Sequence, residues 1–484
     1  MKHLFTFLFL SIIFFGCSSD DDPIVDEPDG NEVVGEEDTI LLTVSRGANS
    51  SLRFNEEIKD LSLEAIITGE DGTILARNSI ETNTEVKLEA EYDKNKPYHL
   101  HFVLRYIESD TEPEFRYENV VRYFVQTFLD VANREYFYDL DIDRGTAIGT
   151  AELKFENVPF SFLNASHSTS FGSSTSSSLP IVDNRLNFEI KVKQNGVNTV
   201  YAYAQSEDPG NEDFRYTRQE LSNGQLVSLD YNTLPKAKQV KINFPDLSSS
   251  NSTFRRFTSS ISGVDLSKNT DFFRFDSSLL FATDELSKEF FLPENIFERY
   301  SFFGTASYDN FITHTRDFYA TINDIPKMYV PSSLNASITN NSFLSYQATV
   351  TGEYDYFNFA AGYSDGDNIL STTKRFNWVI YNGATPSISI TLKDLISEFI
   401  KKEDGFNITA ENLGTPQLSI YKSSEINSKD DFIDMVINRN RSKNLRNIPY
   451  ERWISVDRVD SRTLNKHFPI DNKYSKEYED DYLY

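Results

Sequence analysis

Apolar and polar residues alternate with period two over most of the chain beyond Ile40. Leu61, Leu63, Ala65 and Ile67 alternate with polar or smaller neighbours, as do Val86, Leu88 and Ala90, and Val240, Ile242 and Phe244. The cleanest run is Leu186, Phe188, Ile190 and Val192, set between Asn187, Glu189, Lys191 and Lys193. One wet face and one dry face is the pattern of an antiparallel sheet. Asp71-Gly72, Asn195-Gly196, Asn223-Gly224, Asp365-Gly366 and Asn382-Gly383 supply the positive-φ turns that hairpins need. The fold class expected is all-β.

A motif recurs. Tyr98-His99-Leu100-His101-Phe102 leads through Tyr106 into an acidic loop and then Phe115-Arg116-Tyr117. Roughly a hundred residues on, Val200-Tyr201-Ala202-Tyr203 leads into another acidic loop and Phe214-Arg215-Tyr216, a spacing that suits one sandwich domain of ~100 residues. A fainter copy is read at Tyr356-Phe357-Asn358-Phe359, followed by Asp365-Gly366-Asp367. The repeat predicts tandem Ig-like antiparallel β-sandwiches at 39–146, 147–250 and 251–404, then a C-terminal segment 405–484.

Three stretches break the pattern. The serine-rich run Asn164–Ser178 has no periodicity and reads as a flexible loop. Phenylalanines crowd between Phe254 and Tyr329 without alternation, which predicts irregular structure or short helices. Thr391 as cap, the stripe Leu392, Leu395, Ile396, Phe399 and Ile400, and a stop at Gly405 predict one helix, among one or two near the C-terminus.

The N-terminus carries a different signal. Lys2 precedes an apolar run from Leu4 to Phe15 that ends at Gly16-Cys17, shorter than the ~20 residues of a membrane-spanning helix. Cys17, the single cysteine of the chain, resembles in position the lipobox cysteine of bacterial lipoproteins, and Ser18-Ser19-Asp20-Asp21-Asp22 resembles the export signal of Bacteroidota surface lipoproteins. The resemblance implies removal of 1–16, acylation of Cys17 and display on the outer face of the outer membrane. Residues 17–38, with ten carboxylates after Ser18 and no Lys or Arg, read as a disordered tether.

Charge narrows the partners. A net charge of -27 excludes nucleic acid as the expected partner, because binding there needs basic surface. Between Asn438 and His467 the sign reverses, with eight basic residues against three acidic ones. That arm either lies against the acidic domains or contacts lipopolysaccharide or a protein partner.

Candidate chemistry is sparse. His99 and His101 share one strand face, on the polar side, and read as surface histidines; as a pair they could begin a zinc site, which would need three or four ligands. Asp139, Asp141 and Asp143 begin like a calcium loop but lack its glycine and glutamate positions. No cofactor is required; the acidic loops at Asp110, Asp208 and Asp365 are where calcium would bind. Trp453 beside Arg452 is the candidate sugar-stacking platform, whereas Trp378, sharing a face with Phe376 and Ile380, reads as core. No nucleophile-elbow, zinc-protease or Walker pattern is present. The expectation is a lipid-anchored, non-catalytic surface protein for adhesion, glycan capture or service to a membrane transporter. The alternatives are a surface hydrolase with carboxylates between domains, and a structural stalk.

Overall fold

The structure, a computed structural model, describes residues 39–456 except 47–55, 82–83, 94, 111–116, 132–134, 139–147, 160–161, 170–171, 182, 207–212, 248–250, 252, 266–270, 282–285, 343–344, 367–371, 391–394, 410–412, 414–416 and 439–447. The chain is all-β, as expected, with two single-turn α-helices among the described residues, α1 (Ile396–Phe399) and α2 (Lys429–Phe432), the latter running into a π-helical turn at Ile433–Ile437.

Seven strands build the first sandwich: β1 (Thr39–Arg46), β2 (Glu56–Gly69), β3 (Ile74–Ser79), β4 (Glu85–Glu91), β5 (Tyr98–Asp110), β6 (Tyr117–Phe128) and β7 (Glu135–Tyr138). They pair as β3-β2-β5-β6 and β4-β1-β7, with β1 and β7 parallel. The second sandwich repeats that plan with β8 (Ile148–Glu156), β9 (Phe162–Thr169), β10 (Gly172–Pro180), β11 (Arg185–Lys193), β12 (Asn198–Ser206), β13 (Phe214–Leu221) and β14 (Leu226–Asp230). Its sheets are β10-β9-β12-β13 and β11-β8-β14, again with the first and seventh strands parallel.

The plan appears a third time in β15 (Lys238–Asn243), β16 (Phe254–Asp265), β17 (Asp271–Phe281), β18 (Ser287–Leu292), β19 (Arg299–Tyr308) and β20 (Phe311–Tyr319), paired as β17-β16-β19-β20 and β15-β18. Here the seventh strand is reduced to one parallel bridge, Asn243 to Met328. Pro326, which has no N–H to give a ladder, sits just before it. The fourth sandwich departs from the plan: β21 (Asn335–Ser342), β22 (Ser345–Thr351) and β25 (Ile388–Ile390) face β23 (Tyr356–Ser364), β24 (Lys374–Gly383), β26 (Gln417–Lys422) and β27 (Tyr450–Ser455).

Strand pairing therefore groups the chain differently from the expected division at 146, 250 and 404. β15 lies before residue 250, yet its hydrogen-bonded partner β18 lies after it, and 251–404 holds strands of two sandwiches. The third copy of the fifth strand is β19, starting Arg299-Tyr300, and not β23. The Phe-rich stretch is strands, not irregular chain, because its rings are taken into a core through Phe254, Phe257, Phe290 and Phe302. The serine-rich run is the β9–β10 hairpin, not a loop: its ladder pairs Ser166 with Thr175 and Ser168 with Ser173, and Ser166 and Ser168 are buried. The predicted helix is shortened to α1, and its expected cap Thr391 lies outside the described residues; Gly405, at φ 66°, does end the turn that follows.

Three of the sandwiches share one sheet of twelve strands, β17-β16-β19-β20-β27-β26-β23-β24-β6-β5-β2-β3. Its one parallel pairing, β24 with β6, puts Trp378 beside Val125 and joins the fourth sandwich to the first. The centre of this sheet is buried on both faces. Ala65, Phe102, Tyr381 and Tyr421 enter one core; their neighbours Ile66, Val103, Ile380 and Ile420 enter another. β4 and β7 cover the first face and the Phe432–Ile437 segment extends that cover, while β22, β25 and α1 cover the second.

A polar clamp fixes the first sandwich to the chain after α1. Arg105 donates from Nε and Nη2 to the two carboxylate oxygens of Asp404 at 2.6 and 2.7 Å, and Tyr123 donates its phenol to the same carboxylate at 2.6 Å. The Lys401 backbone N–H donates in turn to that phenol at 2.8 Å. The Arg105 guanidinium holds the Asp404 carboxyl below its ordinary range. Asp404→Ala should lower the unfolding free energy by about 2 kcal/mol in urea titrations, and the Arg105→Ala, Asp404→Ala double variant should lose less than the sum of the two single changes.

Candidate functional site

Arg452 and Trp453 are consecutive residues of β27 and so point to opposite faces of the twelve-stranded sheet. They cannot form a joint surface platform, and both are buried, at 1% and 2% exposure. This corrects the expectation drawn from their adjacency. What they mark is the seam where β27 of the fourth sandwich pairs with β20 of the third, Thr313 opposite Trp453 and His314 opposite Arg452.

On the Arg452 face a row of cations and rings crosses five strands. Arg452 lies 5.0 Å from the Tyr421 ring centroid, Tyr421 stacks on Tyr356 at 4.5 Å, and Arg316 sits over Phe303 at 5.3 Å and Tyr450 at 5.5 Å. Such contacts let a guanidinium be buried beside aromatic faces. His314 stacks on Phe303 and hydrogen-bonds through Nδ1 with the Thr305 hydroxyl at 2.8 Å. Burial first, then the charges of Arg452 and Arg316, push the His314 pKa well below its ordinary value, so it is neutral here.

On the Trp453 face the same strands carry hydroxyls, rings and carboxylates. Along β20 this face presents Phe311, Thr313, Thr315, Asp317 and Tyr319. Phe311 stacks on Trp453 at 5.8 Å and on Tyr308 at 4.2 Å. Glu451 lies opposite Thr315 and accepts from the Ser332 hydroxyl at 2.6 Å. The Asp317 carboxyl is held above its ordinary range by desolvation, although the residue as a whole is exposed; the nearby Tyr319 phenol opposes the shift, and the Glu451 charge adds to it.

His99 and His101 do share a face, but that face is a second core and not a polar surface. His101 is fully buried, with Nε2 2.9 Å from the Thr68 hydroxyl and Nδ1 2.7 Å from the Thr127 hydroxyl. Both nitrogens are thereby occupied, which corrects the zinc expectation; no group of three or more metal-ligating residues occurs among the described residues. Thr127 also accepts from Trp378 Nε1 at 2.8 Å, and Trp378 is core, as expected. His99 is buried, at 7% exposure, and accepts the Asp130 N–H on Nδ1 at 3.2 Å.

Asp365 is bonded to the start of β24. Its carboxylate accepts from the N–H groups of Thr373 at 2.8 Å and Lys374 at 2.9 Å and from the Thr373 hydroxyl; although partial burial opposes them, these bonds bring its pKa below the ordinary value. Asp110 ends β5. Cys17, Ser18, Ser19, Asp20, Asp21, Asp22, Asp139, Asp141, Asp143, Asp208 and every basic residue of the 438–467 arm except Arg452 lie outside the described residues.

No family model matches the chain, and no curated protein matches it. Among solved structures, the Bacillus anthracis TIE protein aligns over 75% of this chain and 74% of that chain at 10% identity, with a TM-score of 0.15, a likeness too slight to carry any argument.

Burial holds His101 at a pKa of about 3 against an ordinary 6.5, with His99 adding to the shift. The unfolded chain therefore takes a proton that the folded chain refuses as pH falls below 6.5. Stability should fall with decreasing pH from 6.5 to about 3, by up to ~1.4 kcal/mol per pH unit for this one residue. Urea midpoints across that range should show a shallower slope in His101→Gln.

Proposed function

We propose that the protein is a lipid-anchored β-sandwich assembly displayed on the outer face of the outer membrane, where it captures glycan and catalyses nothing. The observation that carries the placement is the apolar run Leu4 to Phe15 ending in Gly16-Cys17, followed by Ser18-Ser19-Asp20-Asp21-Asp22. The two or three acyl chains of a lipoprotein cysteine anchor durably where a single chain, at about 0.8 kcal/mol per buried methylene, holds only marginally. The capture role is supported by the Trp453 side of the seam, where aromatic rings and hydroxyls lie side by side as in sites that recognise sugars. We assign the fourth sandwich to the Ig-like type on its strand order, β21-β22-β25 against β27-β26-β23-β24.

A hydrolase is the second reading. Asp317 and Glu451 stand on neighbouring strands of one face, and the Asp317 carboxyl is raised toward the range of a general acid. Cleavage of reporter glycosides by the wild type, abolished in Asp317→Asn, would replace capture by catalysis. Glycan-array retention without cleavage supports capture.

Cys17→Ser should move the protein from the membrane fraction to the soluble fraction and remove the lipid mass seen on the N-terminal peptide. Protease added to whole cells should digest the wild-type protein; protection would overturn the surface placement.

A further inference from the structure

We propose that the Trp453 side of the β20–β27 seam is a binding site for a single neutral sugar ring; this rests on the glycan-capture reading above. Thr313, Thr315, Tyr329 and Trp453 are 2%, 7%, 2% and 2% exposed. Their Oγ1, Oγ1, OH and Nε1 atoms have no hydrogen-bond partner among the described residues. Each such buried group destabilises the fold unless something completes its bonds.

The four groups lie together. Thr313 is opposite Trp453 across β20–β27, and Thr315 is opposite Gly304 across β19–β20. A Cβ on Gly304 would meet Tyr329 Cε2 at 2.3 Å and Cζ at 2.8 Å, so the phenol end of Tyr329 lies over that glycine. The Thr315 hydroxyl is near enough to oppose the burial-driven rise in the Tyr329 pKa, yet the pair falls outside hydrogen-bond geometry. Tyr308, Asp317 and Glu451 also act on the phenol from nearby.

The cover over this face is the strap 326–334 between the third and fourth sandwiches. It is held by the Asn243 N–H to Lys327 O and the Tyr329 N–H to Asn243 O, both 2.8 Å, and by Ser332 on Glu451. Pro326 and Pro331 bracket it, and Met328 and Val330 on it are 49% and 72% exposed.

The chemistry selects the ligand class. Two hydroxyls and a phenol donate or accept, the indole N–H donates, and the Tyr308–Phe311 stack gives an aromatic wall. The arginines of the seam, Arg316 and Arg452, face the other side, while Asp317 and Glu451 stand on this one. An anionic ligand is disfavoured by those carboxylates. A neutral polyhydroxyl ring matches the donors and acceptors.

The test is calorimetry and tryptophan emission on the full-length protein with glucose, galactose, mannose and N-acetylglucosamine. The expected result is saturable binding with a Kd on the order of 1 mM for at least one sugar, weakened about fivefold or more in Thr313→Val and in Thr315→Val, both still melting cooperatively. No saturable binding by the wild type, or equal binding by both variants, overturns the site. So does a sugar-soaked crystal in which only ordered water bridges the four groups. Glycan-array retention that survives unchanged in both variants overturns this site and leaves glycan capture standing. Monosaccharide binding lost in the variants, with no glycan retained on the array by the wild type, supports the site and removes the capture role.

Discussion

The parallel pairing of β6 with β24 is the constraint on which the rest of the architecture depends. It hydrogen-bonds residues 121–128 to residues 374–381 and, with the β20–β27 seam, makes three sandwiches parts of one sheet. A parallel pair cannot be closed by a tight turn, so these strands meet only after the intervening chain has been placed elsewhere. Once they meet, the central strands have no free edge, and neither face remains available to water. Every residue there must then suit one of two cores, which is why Trp378, Val125 and Ile420 coexist with His101 and Arg452.

That two-sided burial explains what the sequence could and could not disclose. Period-two patterning located the strands of the second sandwich, where β11 alternates between exposed and buried at every residue. It also identified Tyr98–Phe102 and Val200–Tyr203 as equivalent strands, β5 and β12. The third equivalent, Tyr300-Ser301-Phe302-Phe303, was legible at the same spacing but was hidden by the doublet Phe302-Phe303, which feeds both faces and so breaks the alternation. The echo at Tyr356 was a strand of a different topology that shares only its aromatic content. The Asn164–Ser178 run was missed because serine and threonine carry no hydrophobic period, although cross-strand hydroxyl pairs suit a ladder.

The histidines show the same effect. His99 and His101 do lie opposite Tyr98, Leu100 and Phe102, but the face they take is covered and not wet. A sequence shows which side a residue takes; it does not show that another segment, here α1 with Phe399 5.0 Å from the His101 ring, covers that side. The pairing of Thr68 and Thr127 with the two ring nitrogens satisfies the imidazole where water would otherwise be needed.

Polar groups collect at the seam because it is the place least well served by the facing sheets. β15 and β18 cover the third sandwich and β22 and β25 the fourth, so β20 and β27 between them are closed by a strap with a single bridge to its neighbour. The sheet responds differently on its two sides. On the side of Arg452 and Arg316, aromatic rings accept the buried cations and the row is closed to its neighbours through Tyr421, Tyr356 and Tyr450. On the side of Trp453, Gly304 supplies no side chain to fill the space and Tyr329 enters instead, bringing its phenol near Thr315. A fold selected only for rigidity would place valines at those two threonine positions, since a buried hydroxyl without a partner destabilises and a methyl of the same volume does not. The two threonine hydroxyls, the indole N–H and the phenol are thus a cost to the fold on this side of the sheet.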